Sequence, residues 1–148
     1  VEYGFERQYY QSNPKVRNVD YRLEVSARWA PYAKHYEDAI KSADPQLKGK
    51  LLSAGTMAVA LATFRYAPEV ARAFWMGLAE QNGLRIGDPR RTLAVDMRNR
   101  ILNSGSQDQG EKSASVAWNA YAERRQLKII KVYAGNEITL TGTPWGRK

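Results

Sequence analysis

Prolines mark where helices begin in this chain, and that punctuation limits the fold more than any other feature. Asp44-Pro45 and Asp88-Pro89 each set a capping carboxylate just before a proline. A proline at the first helical position loses no hydrogen bond, because first-turn N–H groups have no intrahelical acceptor. Ala67-Pro68 is a start of the same kind without a capping side chain, and Asp108 with Glu111 has the spacing of a capping box.

These starts divide the chain into about five helices, at about 20–42, 45–65, 68–82, 89–103 and 109–125. In the first, Val25, Trp29, Tyr32, Tyr36 and Ile40 form one apolar stripe. Pro31 lies inside it and predicts a kink or a new start. The second carries Leu47, Leu51, Ala58, Leu61 and Ala62, with Gly55 as a point of interruption. Its low charge makes it the expected central helix. Ala71, Phe74, Trp75 and Leu78 mark the inner face of the third, and Asn82-Gly83-Leu84 reads as its C-terminal cap, with Gly83 left-handed. Leu93, Ala94, Met97 and Ile101 point inward from the fourth. Ala114, Ala117, Trp118 and Tyr121 do so from the fifth.

After residue 126 the period changes. Leu127–Tyr133 is rich in β-branched and aromatic residues, Ala134-Gly135-Asn136 has turn chemistry, and Glu137–Thr141 alternates polar with apolar. Together they predict a β-hairpin. A lone hairpin is marginal in water, so it must pack on the helices or on another chain. The expected organisation is an aromatic-rich arm over 1–19, a helical domain over 20–126, and a hairpin with its tail over 127–148. The fold class is mainly α, a single-domain bundle.

The chain has 148 residues, enough to bury one core, and 43% of them are hydrophobic, as in ordinary globular proteins. It has no cysteine, which excludes disulfides, thiolate metal sites and a cysteine nucleophile. No apolar run approaches the roughly 20 residues of a membrane span. The charged N-terminal residues do not read as a signal peptide. A cytoplasmic setting is expected.

The net charge of +8 is unevenly placed. Residues 1–44 carry seven basic and seven acidic side chains, whereas 84–103 hold a surplus of +3, all of it arginine, and 104–148 another +3. Such a surplus adds no stability, because like charges repel, and it suits a polyanionic partner. Arg85, Arg90, Arg91, Arg98 and Arg100 form the first candidate strip. Arg91 and Arg98, seven apart, fall about 20° apart on a helical wheel. Arg124, Arg125, Lys128 and Lys131 form a second strip, if folding brings the two together. Arginine forks match phosphate oxygens. The opposing interpretation is a wetted helix face whose arginines pair with Asp88 and Asp96, and lysines that protect a strand edge.

Other chemistry is weakly signalled. The third and fourth helices have helix-turn-helix order, but their connector is too long for that motif's tight turn. His35, the lone histidine, sits near Asp38, yet no activated nucleophile can be located beside it. Asp88 and Asp96 could hold Mg²⁺ for a nuclease, but Asp88 already caps a helix. No phosphate loop or dinucleotide fingerprint is present. Tyr3, Phe5, Tyr9 and Tyr10, with Arg7, Lys15 and Arg17 nearby, could staple onto a core or stack on unpaired bases.

Ala117-Trp-Asn-Ala-Tyr121, then Arg124-Arg-Gln-Leu-Lys-Ile-Ile-Lys-Val132, then Thr143-Pro-Trp145 resembles the tail of small uncharacterised proteins carried by bacterial plasmids and phages. The resemblance implies a mobile-element origin and a cytoplasmic setting, and transfers no site residue. The sequence therefore leads to a non-enzymatic nucleic-acid-binding protein, or the nucleic-acid-contacting subunit of a complex. It uses no cofactor and binds DNA or RNA through its nine candidate cations. The alternative is an adaptor or inhibitor that offers the same basic, aromatic surface to an acidic protein.

Overall fold

The computed structural model describes residues 19–102, 107–132 and 138–146, with backbone alone for 19–26, 101–102 and 107–109. The aromatic arm expected over 1–19 falls outside this range except for Val19. Six helices are present among the described residues: α1 (Val19–Ile40), α2 (Pro45–Leu51), α3 (Ala54–Tyr66), α4 (Pro68–Glu80), α5 (Pro89–Leu102) and α6 (Gln107–Ala122).

The proline starts hold. The Leu47 amide donates to the Asp44 carboxylate at 2.9 Å. The Arg90 amide donates to Asp88 at 3.0 Å. Ala67 precedes Pro68 without a side-chain cap. α1 runs through Pro31 with no new start. The second expected helix divides at Leu52-Ser53, not at Gly55. Ser53 adopts an extended backbone (ψ 150°), and its hydroxyl donates to the Lys50 carbonyl at 2.7 Å, closing the end of α2. α4 ends on Gln81 in the left-handed region (φ 57°), with Gly83 (φ 69°) also left-handed two residues later. α6 already begins at Gln107, so Asp108 lies in its first turn and not at its cap.

α3 is the centre. Gly55, Thr56 and every residue from Ala58 to Phe64 are buried, as expected for a helix apolar on all sides. Its alanines let α1, α4 and α6 approach closely. The Tyr36 hydroxyl donates to the Leu51 carbonyl at 2.6 Å, and burial pushes its pKa well above the usual phenol value. The Trp75 indole N–H donates to the Thr63 hydroxyl at 3.0 Å. Edge-to-face rings link Tyr36 to Trp75 (5.2 Å), Trp75 to Phe74 (4.8 Å) and Phe74 to Trp118 (5.6 Å). Such pairs add to area burial by about 0.5–1.5 kcal/mol each.

The expected hairpin is not seen. Among the described residues there is no strand, and its turn residues, Ala134-Gly135-Asn136, fall outside the range. Each described half is bonded to a different part of the helical domain. The Leu127 amide donates to the Gly87 carbonyl at 2.8 Å, and the Thr92 hydroxyl donates to the Leu127 carbonyl. On the other half, the Asn119 side-chain amide donates to the Thr139 carbonyl (2.9 Å) and its oxygen accepts from the Thr141 amide (2.8 Å). The Trp118 indole donates to the Thr141 carbonyl at 2.8 Å. Leu140 is buried, and its amide donates to the Trp145 carbonyl, closing a tight loop. Trp145 docks edge-on to Tyr66 at 5.7 Å.

Candidate interaction face

The expected arginine strip does not survive as one surface. Arg90 lies down against α4. Its Nη2 and Nε donate to the two Asp88 oxygens at 2.8 and 3.1 Å, and its guanidinium sits over the Tyr121 ring at 5.0 Å. That guanidinium holds the Asp88 carboxyl below the usual range, and Asp88 in turn raises Arg90. Arg98 reaches across to Asp44 at 2.9 Å, at the start of α2. Arg100 is buried, its side chain 8% exposed, and pairs with Asp96 at 2.9 Å. Its Nη2 has no hydrogen-bond partner among the described residues. Arg125 pairs with Glu123 at 3.0 Å. Four of the nine candidate cations therefore already have carboxylate partners.

The others divide differently. Arg85, Arg91, Arg124, Lys128 and Lys131 form no ion pair among the described residues. The loop between α4 and α5 lies beside the segment after α6, tied by the Leu127–Gly87 hydrogen bond. Two open grooves flank that tie and share Ile86 and Gly87. The larger, about 720 Å³, has Arg85 and Arg124 on its walls. The smaller, about 380 Å³, has Arg91 and Lys128. So residues from both expected strips do meet around Ile86, where Arg85, Arg91, Arg124, Arg125 and Lys128 line the two grooves. Lys131 is exposed and lines neither groove. Of the carboxylates in the two linings, Asp88 and Asp96 are engaged by Arg90 and Arg100, and Glu69 has no ion-pair partner among the described residues.

Arg124, two residues past the end of α6, has φ 57°, a conformation that favours glycine. Gln81, directly after α4, has the same left-handed φ.

Sequence reasoning missed the apolar half of this face. Ile86 is 72% exposed and Ile129 65% exposed, with Val70 and Val95 also open. The available signal was an isoleucine set between Arg85 and Gly87 in a loop, where burial has nothing to offer it. The helix-turn-helix interpretation fails at the same place. In the first turn of α5 the Thr92 hydroxyl is bonded to the Leu127 carbonyl, and Arg90 is folded inward. Asp88 and Asp96 each face a guanidinium, which disfavours them as a metal pair. Among the described residues no three His, Asp or Glu side chains gather as metal ligands. His35 is exposed and stacks on Phe64 at 6.5 Å. No helix among the described residues is long and apolar enough to cross a membrane.

No protein-family model, curated protein or solved structure matches this chain.

Proposed function

We propose that this chain is a non-enzymatic interaction module, an adaptor or inhibitor, that holds an acidic protein partner on the face around Ile86 and Gly87. One observation carries the reading. Of the six exposed large hydrophobic residues among those described, four (Val70, Ile86, Val95 and Ile129) line the same two grooves as Arg85, Arg91, Arg124 and Lys128. Protein interfaces combine apolar anchors with arginine at their centres. A phosphate backbone takes up the cations but gives aliphatic side chains little to be buried against. The missing cysteines and the resemblance of the C-terminal segment to plasmid and phage proteins support a bacterial, cytoplasmic setting.

Nucleic acid is the competing occupant, favoured by the net charge of +8. A photo-crosslinking residue placed at Ile86 in cells that express the protein separates the two. A protein adduct is expected, insensitive to nuclease and lost when Arg91 and Lys128 are both changed to Glu. An adduct removed by nuclease, or no adduct, overturns the proposal.

A further inference from the structure

We infer that the larger groove, of about 720 Å³, receives an acidic, amphipathic helix of the partner. The inference rests on the acidic-partner reading and names how the partner is held.

Two helices and a loop build the walls. α4 contributes Glu69, Val70 and Ala73, neighbours on one helix face at three- and four-residue spacing. α6 contributes Tyr121 from its last turn, and Arg124 follows just beyond it. The loop before α5 adds Arg85 and Ile86. Val70 is 41% exposed and Ile86 72%, so an occupant that covers them removes apolar surface from water.

The main chain around this groove is largely spent. The Arg85 carbonyl accepts from the Asp88 amide, and the Gly87 carbonyl from the Leu127 amide. The Tyr121 carbonyl accepts from the Arg124 amide, and the Arg125 amide donates to Ala120. The carbonyls of α4 bond within that helix. An incoming segment thus finds side chains and few free backbone partners. Its own N–H and C=O groups must be satisfied internally, as a helix does and an extended chain does not.

Charge selects which helix. Arg85 and Arg124 are exposed and form no ion pair among the described residues. Arg125 is paired only with Glu123, in an exposed bridge of the weak kind. Of the carboxylates in the lining, Asp88 is held by Arg90, and Glu69 stands on α4, away in sequence from all three arginines. An occupant therefore presents acidic residues to the loop and the end of α6, and neutral or basic ones to α4. Aliphatic residues at helical spacing between them meet Val70, Ala73, Ile86 and the Tyr121 ring.

The test uses a blocked peptide of about 18 residues, long enough to populate a helix, with a leucine stripe flanked by Glu. A version with proline at its centre and a Lys-for-Glu version complete the set. Each is titrated into methyl-labelled protein and followed by NMR. The Glu peptide is expected to bind saturably and shift the methyl signals of Val70, Ala73 and Ile86, leaving Ile129 unmoved. The central proline, which breaks the helix, is expected to weaken binding about tenfold or more. Changing Arg85 and Arg124 together to Glu is expected to weaken it as much, and the Lys peptide is expected not to bind. Equal binding of the proline peptide overturns the helix and leaves the acidic partner in place. Failure of the Glu peptide beside a nuclease-resistant Ile86 adduct does the same. Shifts confined to Val95 and Ile129 overturn the choice of groove. Self-association of the protein alone that shifts the Val70 and Ile86 methyls assigns the groove to a second copy and overturns the proposal. Loss of the Ile86 adduct removes the underlying reading instead.

Discussion

Gly77→Ala sets two known effects against each other, and the fold decides the sign. Gly77 lies in α4, where alanine in place of glycine gains about 1 kcal/mol of helix propensity. A Cβ there, however, clashes with Arg90 Nη1 and falls 3.0 Å from its Cδ. Arg90 must therefore leave its bed. Moving it breaks the paired bonds to Asp88, the 3.4 Å bond to the Ala73 carbonyl and the contact with the Tyr121 ring. Charged hydrogen bonds of this kind are worth about 1.5–3 kcal/mol. The cation–π contact adds about 0.5–1 kcal/mol. The loss exceeds the gain, so Gly77→Ala should destabilise by about 1–2 kcal/mol, read as a lower urea midpoint at unchanged slope. In an Arg90→Ala background the clash is gone, and the same substitution should stabilise by about 1 kcal/mol. A stabilising Gly77→Ala in the otherwise native chain refutes the packing argument. So does a destabilising effect in the Arg90→Ala background.

Two further outcomes follow from the same fold. Asn119→Ala removes the partners of the Thr139 carbonyl and the Thr141 amide. It should cost about 2 kcal/mol in denaturant melts and speed exchange of the Thr141 amide. The second outcome concerns pH. Asp88 is held below the usual carboxylate range by Arg90, and Asp44 by the Leu47 amide and then Arg98. A lowered folded value gives stability that is fully present above the unfolded value, about 3.9, and is lost as pH falls through the folded one. Asp88→Asn should therefore flatten the acid limb of a stability-against-pH curve and leave a smaller difference between pH 7 and pH 3.

Local chemistry was readable from the residues, and pairings at a distance were not. The caps at Asp44 and Asp88 work within three residues, so the dipeptide with proline announces them. The apolar stripes of α3, α4 and α5 mark buried faces, since helical spacing alone aligns Leu93, Ala94 and Met97. The Arg100–Asp96 pair, four residues apart, was visible as an alternative. The Arg98–Asp44 pair spans 54 residues and was not. The hairpin was misjudged for the same reason. Strand propensity over 127–141 is real, but Asn119 and Trp118 bind one half and Gly87 the other. Strand propensity then gives way to tertiary hydrogen bonds. At the candidate face, the cations could be counted beforehand. Which of them were spent, and that isoleucines stood beside the rest, depended on how the loop before α5 meets the segment after α6.

The loop at 138–146 has a bearing on biogenesis. Protein synthesis runs from the amino end, so the six described helices leave the ribosome before Leu140 does. Until then the indole of Trp118 and the amide of Asn119 lack the carbonyls that satisfy them, and the cavity for Leu140 stands empty. A nascent chain halted in that interval carries an unsealed seam that chaperones and proteases can recognise, and emergence of residues 138–146 seals it.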